Sequence, residues 1–387
     1  MATLGTHSSV GDILGQAKRM VVKAGSSLLS EAQSGALRHG WMASLAQDLA
    51  QLRHTGAEML MVSSGAVALG RRALKLSDGA LALEQKQAAA AVGQPMLASA
   101  WKAAFAPLGI VTAQALLTLE DTEQRRRWLN SRATLEALLS QKALPIINEN
   151  DTVATDEIRY GDNDRLAARV AQMSGADVLV LLSDIDGLWT ADPHRHNDAS
   201  PIPFVADMNA EIMAMAEGPN PQSNQGSGGM VTKLTAARMA VQGGCTVILA
   251  SGVCEHPLAA LMNGARSTVF APAATATDAR KGWIAGTINP AGQVHIDEGA
   301  VRALSKGASL LPAGMTACTG DFTRGDVLAI LDTNGTEVGR GLASYTAGEA
   351  RKICGLRSEE IAHALGYSAR AAMIHRDNLV LLHKEKT

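Results

Sequence analysis

The chain has 387 residues, of which 47% are hydrophobic and 19% charged, and its net charge is −2. That balance suits an ordinary folded protein of two or three domains and argues against a chain built around nucleic acid or an anionic membrane. Aromatic residues are only 3%, so the core is expected to be aliphatic, filled by Ala, Val, Leu, Ile and the 15 methionines.

Met1 to Lys18 has no apolar h-region, and residues 1–18 are expected to be a short flexible extension rather than a secretory signal. From residue 19 onward short apolar runs alternate with longer helical stretches. The predicted strands are Arg19–Lys23, Glu58–Val62, Gly109–Thr112, Leu144–Ile147, Val178–Leu182 and Thr246–Leu249. Their continuous apolar character is what a parallel strand buried on both faces needs. Ala-rich helices are predicted over 37–55, 84–106, 122–141, 163–174 and 230–242. This rhythm predicts an α/β domain over 19–271, a three-layer α/β/α sandwich on a mainly parallel sheet, with ligands at the carboxyl ends of the strands.

Residues 272–281 form a linker of small residues, and the texture then changes. Short strands at Trp283–Ile288, Gln293–Ile296, Asp326–Leu331 and Glu337–Ala343, punctuated by Gly320-Asp321 and Asn334-Gly335, predict a small β-rich domain over 282–387. The four cysteines, Cys245, Cys254, Cys318 and Cys354, form no CxxC pair, which suits reduced thiols in a cytoplasmic protein. No stretch reaches the about 18 apolar residues of a membrane span.

The polar residues that follow the strands carry the chemistry. Lys23-Ala24-Gly25-Ser26-Ser27 can meet a phosphate with charge and backbone amides together, or be a plain strand end. Ser63-Ser64-Gly65-Ala66 enters a helix and can bind an anion or simply cap it. Asn148-Glu149-Asn150-Asp151 and Gly161-Asp162-Asn163-Asp164 exceed what capping requires and suit orienting an amino group and holding cations. Ser183-Asp184-Ile185-Asp186-Gly187 reads equally as a turn or as a nucleotide or metal contact, whereas His194 and His196 read as solvated. Gly226-Ser227-Gly228-Gly229-Met230-Val231-Thr232-Lys233 opens a helix without being a Walker A loop, and Lys233 would point back toward the helix start. Two lysines, two Gly-rich turns and several carboxylates at successive strand ends are the inventory that phosphoryl transfer needs.

These segments, in this order, resemble the amino acid kinase family. The combination of the INEND and GDND segments with GxGGMxTK is similar to the branch that phosphorylates the side-chain carboxylate of L-glutamate at the start of proline biosynthesis. The resemblance runs from residue 19 to about 380 and implies a C-terminal PUA domain, ATP as donor, Mg²⁺, and L-glutamate as acceptor. It implies Lys23 and Lys233 as the groups that neutralise the transferring phosphoryl, held by Asp164. It implies Ser64, Gly65, Asp151 and Asn163 as glutamate ligands. Lys23, Ser183, Asp184 and the stretch Ser227, Gly228, Gly229, Met230, Val231, Thr232 and Lys233 would bind ATP, and the metal ligands stay unassigned. Feedback inhibition by proline is implied, with Asp156, Glu157 and Arg159 in the loop to search, and so is a homo-oligomer, dimer or tetramer. The segment Ser183-Asp184-Ile185-Asp186 departs from the Thr-Asp-Gln-Lys of some members, which bears on nucleotide contacts. Two other readings are a relative acting on aspartate, acetylglutamate or a nucleotide, and an RNA-binding protein. Against the latter, 13 Lys and Arg meet 12 Asp and Glu from residue 276 onward, too even a balance for a nucleic-acid surface.

Overall fold

The computed structural model describes residues 9–31, 35–77, 79–153, 162–193, 195–215, 229–272, 284, 290–367 and 371–382. The chain divides into two compact units, Met1–Ala276 and Thr277–Thr387.

The first unit is built on strands β1 (Arg19–Ala24), β2 (Glu58–Ser63), β3 (Thr112–Leu117), β4 (Leu144–Glu149), β5 (Val178–Ser183), β8 (Phe204–Val205), β9 (Thr246–Ser251) and β10 (Ser267–Phe270). They make one sheet in the order β3-β4-β2-β1-β5-β9-β10-β8, parallel except where β10 runs against β9. A separate hairpin pairs β6 (Leu188–Trp189) with β7 (Pro201–Ile202). Helices α1 (Val10–Gln16), α2 (Ser26–Leu29), α3 (His39–His54), α4 (Ala66–Ala73), α5 (Leu83–Phe105), α6 (Leu119–Glu123), α7 (Arg125–Ser140), α8 (Asp162–Ser174), α9 (Ala210–Ala214), α10 (Met230–Gln242) and α11 (Pro257–Met262) complete the unit.

Alternation along the strands creates the three layers. Met20 and Val22 of β1 join Trp41 and Leu45 of α3 and Leu97 of α5 in one core. Val21 faces the other way, into a core with Ala167 and Val170 of α8 and Leu234 of α10. Each such fully buried aliphatic side chain stabilises the fold by roughly 1.5–3 kcal/mol. The scarce aromatics are concentrated: Trp41 lies edge-on to Trp101 at 6.5 Å between centroids, and Phe105 lies 6.0 Å from Trp101. Helices α4 and α5 cross at glycines. A Cβ on Gly70 would lie 1.7 Å from the Ala89 carbonyl oxygen, and one on Gly93 would lie 1.8 Å from that of Ala66.

Several expectations need correction. Residues 10–16 are a helix rather than part of an extension: Ser9 and Asp12 form a capping box, and Ile13 and Leu14 are buried. The third strand begins at Thr112, not Gly109. Gly109 closes a 3₁₀ turn at φ 67°, Val111 is 68% exposed, and β3 lies at the sheet edge, where the apolar signal is weak. The helix expected over 122–141 is broken at Gln124, whose extended ψ of 117° separates α6 from α7.

The second unit holds a five-stranded sheet in the order β12-β11-β13-β14-β15, formed by β11 (Gly292–Ile296), β12 (Met315–Gly320), β13 (Val327–Leu331), β14 (Glu337–Leu342) and β15 (Leu379–Leu381). Only β11 and β13 pair in parallel. Its own core gathers Val294, Leu328, Ile330, Ala350, Ile353 and Met373. The sequence reading missed β12, where Met315 and Cys318 are the inward residues of a largely exposed strand, and β15, a three-residue edge. The expected strand Trp283–Ile288 lies outside the described residues apart from buried Ile284. No helix among the described residues is long and apolar enough to cross a membrane.

Candidate active site

In the order β3-β4-β2-β1-β5-β9 the chain winds first to one side of β1 and then to the other, so the crevice beyond the carboxyl ends of β1 and β5 is the switch point where such sheets bind ligands. Lys23 stands near the end of β1, opposite Val62 of β2 and Leu181 of β5. Helix α8 follows β4 and runs back against the strands, which sets its first turn, with Asn163 and Asp164, over the same crevice. Helix α10 begins at Met230 after Gly229, and Lys233 sits one turn in.

These three elements bring the two lysines onto one carboxylate. Lys23 Nζ lies 2.6 Å from Asp164 Oδ1, and Lys233 Nζ lies 3.3 Å from Asp164 Oδ2. All three residues are buried, at 6%, 6% and 1% exposure. Burial alone would raise the Asp164 carboxyl. The charges of Lys23 and Lys233, with their hydrogen bonds, outweigh it and hold the group below the ordinary carboxylate range. Two cations thus share one buried anion, and the three side chains hold one another in place. Ammonium groups held in fixed positions by one carboxylate suit an approaching anionic group.

A second cluster sits at the ends of β2 and β4. Gly65 has φ 111°, a left-handed conformation that side-chain-bearing residues resist, and it turns the chain from Ser64 into α4. Asn163 Nδ2 donates to Ser64 Oγ at 2.8 Å, which joins α8 to this turn. Asn148 Nδ2 donates to Gln94 Oε1 at 2.7 Å. Both asparagines thus have their NH₂ groups engaged, while Asn148 Oδ1 and Asn163 Oδ1 are buried with no hydrogen-bond partner among the described residues. Buried acceptors rarely stay unpaired, so this pair suits a ligand that donates hydrogen bonds. Asp151 follows Asn148 by three residues, and burial pushes its carboxyl up to about 6. Beneath the turn, the Trp101 indole N–H donates to Ser63 Oγ at 2.8 Å, and Ser63 Oγ donates to the Ser64 carbonyl at 3.3 Å.

On the far side of β1, Ser183 is buried at the end of β5 and donates to Asp184 Oδ1 at 2.8 Å. Asp186 is occupied structurally, by the Trp189 indole at 2.9 Å and by Arg266 at 3.0 Å, and Gly187 turns at φ 140°. Gly229 caps α10 through its backbone, with Met230 and Thr232 half-buried and Val231 exposed beside it. Ser227, Gly228, Asp156, Glu157, Arg159 and His194 lie outside the described residues. Among the described residues no group of three His, Cys, Asp or Glu side chains is arranged to cage a metal ion.

Among the sequence-predicted residues, the structure brings together Lys23, Asp164 and Lys233 in one cluster and Ser64, Gly65 and Asn163 in another. Sequence reasoning singled out the segment containing Asn148 without selecting that residue, and it missed Gln94 and Trp101 altogether. The latter two sit inside an Ala-rich helix, and only their partners at distant strand ends mark them out.

The amino acid kinase family model matches residues 18–251, and the PUA domain model matches residues 292–365. Glutamate 5-kinase of Rhizobium rhizogenes is 55% identical over 370 residues, covering 96% of this chain and 94% of that protein. Glutamate 5-kinase of Agrobacterium fabrum is 56% identical over 363 residues, covering 94% and 92%. Glutamate 5-kinase 1 of Rhizobium meliloti is 56% identical over 364 residues, with the same coverage. With its lysines and carboxylates at the ends of a mainly parallel sheet, and a PUA domain after it, the chain belongs to the amino acid kinase family, in the group of the glutamate 5-kinases.

Proposed function

We propose that the protein transfers the γ-phosphoryl group of ATP to the side-chain carboxylate of L-glutamate, forming L-glutamyl 5-phosphate. The observation that carries this reading is the buried Lys23–Asp164–Lys233 trio, two ammonium groups held on one carboxylate. A carboxylate acceptor is already ionised at neutral pH and needs no general base. The barrier is repulsion between two anions, which charge neutralisation and alignment lower. Lys23 and Lys233 supply the charge on the transferring group, and Asp164 keeps both ammonium groups on target. Ser183, Asp184 and the stretch Ser227 to Lys233 hold ATP, with Gly228, Gly229, Met230, Val231 and Thr232 lending backbone amides or close approach.

The acceptor side binds an amino acid. The free oxygens of Asn148 and Asn163, with the Asp151 carboxylate, suit the α-ammonium group of glutamate, and the Ser64–Gly65 turn suits a carboxylate. Mg²⁺ accompanies the ATP phosphates, as this ion commonly does with few protein ligands of its own. In the same reading the enzyme works in the cytoplasm as a homo-oligomer at the first step of proline biosynthesis. Proline then inhibits it through the loop containing Asp156, Glu157 and Arg159.

The test is ADP release by the purified protein with ATP and Mg²⁺, with and without L-glutamate, hydroxylamine trapping the acyl phosphate. Glutamate-dependent ADP with a trapped hydroxamate, suppressed by proline, is the expected result. ADP release with aspartate or acetylglutamate instead of glutamate would overturn the substrate assignment.

A further inference from the structure

The amide that orients Asn148 comes from helix α5, and nothing in the phosphoryl-transfer inventory accounts for it. Gln94 is half-buried, and its Oε1 accepts from Asn148 Nδ2 at 2.7 Å. An asparagine side chain has one face that donates and one that accepts. The Asn148 NH₂ donates to Gln94, and its Oδ1 is buried with no hydrogen-bond partner among the described residues. Gln94 is itself held firmly. Its neighbour Gly93 packs against α4 so closely that a Cβ there would lie 1.8 Å from the Ala66 carbonyl oxygen, and Ala66 directly follows the Ser64–Gly65 turn. The same helix crossing therefore sets the position of Gln94 and of the turn that accepts from Asn163.

We propose that Gln94 is a positioning residue for the acceptor amino acid: it fixes the Asn148 amide so that the Asn148 and Asn163 carbonyl oxygens together receive the substrate's ammonium group. The proposal rests on the glutamate reading above. Gln94 belongs to the cluster with Asn148 and not to the Lys23–Asp164–Lys233 trio, so its effect falls on recognition of the amino acid and not on phosphoryl transfer.

Two substitutions separate this role from simple packing. Gln94→Met keeps the length and removes the acceptor, whereas Gln94→Glu keeps an acceptor oxygen whether or not it is protonated. Steady-state kinetics of the full-length protein should give Gln94→Met a KM for L-glutamate raised about 10- to 100-fold, the size of one misaligned hydrogen bond to a charged group. Its KM for ATP should be unchanged and its kcat within about threefold of the parent. Gln94→Glu should recover most of the loss. An unchanged glutamate KM in Gln94→Met, or equal damage in both variants, would overturn the proposal while leaving the glutamate reading intact. A parent protein inert toward glutamate would sink that reading and this proposal with it.

Discussion

The two halves of the candidate site are built on opposite plans. Around Asp164 the charged groups are paired with one another before any ligand arrives: Lys23 and Lys233 both reach the one carboxylate, at 2.6 and 3.3 Å. Around Asn148 and Asn163 each NH₂ donates to Gln94 or Ser64, and the carbonyl oxygens have no partner among the described residues. A lysine released from its partner would swing on a long flexible stem, so the phosphoryl half needs internal anchoring. An amide on a strand end or helix start is already stiff, and it can leave one face open for the substrate to complete. Loss of the first half should therefore appear in turnover and stability, and loss of the second in substrate affinity.

The largest effect is expected at Asp164. Asp164→Ala leaves two buried ammonium groups facing each other, and chemical denaturation should record a loss of about 3–5 kcal/mol, with turnover down about 10³-fold. Asp164→Asn, which keeps the shape, should retain more stability than activity. At the other half, Asn163→Leu removes both the free oxygen and the donor to Ser64. It should raise the KM for L-glutamate about 10- to 100-fold while leaving kcat comparatively untouched; a variant that instead lost turnover at normal KM would erase the contrast between the halves.

Asp151 sharpens the contrast through pH. Its carboxyl is pushed up to about 6 by burial, so in the free enzyme it gains a proton below that value and loses its attraction for an ammonium group. The kcat/KM for L-glutamate should fall as pH drops below about 6, approaching tenfold per unit, and this limb should be absent from the profile of Asp151→Asn. The stability effect has the opposite sense. A carboxyl raised by burial favours its protonated form in the folded state, so its contribution is fullest below the ordinary carboxylate value of 3.8 and is lost as pH rises through about 6. Asp151→Asn should consequently raise the melting temperature by roughly a few degrees at alkaline pH, with the gain vanishing in acid. This is the smallest of the expected changes, and it should appear in a protein whose glutamate affinity has been damaged.

The parts of the molecule legible in its sequence were those where one segment carries both the structural and the chemical signal. β5 is a continuous apolar run that ends in Ser183-Asp184, and α8 opens with Asn163 and Asp164 before Leu166 and Val170 set its buried face. Lys233 was visible because one helical turn separates it from the glycines before α10. What stayed hidden needed a partner from elsewhere. Gln94 has no meaning until Asn148 is brought beside it from 54 residues away, and Trp101 looks like any core residue until Ser63 receives its N–H. Edge strands were illegible for another reason: β3 and β12 are half-exposed, so the apolar pattern that identifies a buried strand is diluted. Helix α1 carries a local signal, the Ser9 and Asp12 capping box ahead of Ile13 and Leu14, in a segment that the sequence reading judged only by its lack of an apolar h-region.

The most direct test of the account is turnover of the Lys233→Ala protein, measured as glutamate-dependent hydroxamate formation at saturating ATP and L-glutamate. Lys233 is predicted to act on the charge that moves in the transition state, so kcat should fall about 10²-fold or more while the KM for L-glutamate stays near that of the parent. Near-normal turnover, or a loss confined to the glutamate KM, would contradict the division of the site into a charge-neutralising half and a substrate-recognising half.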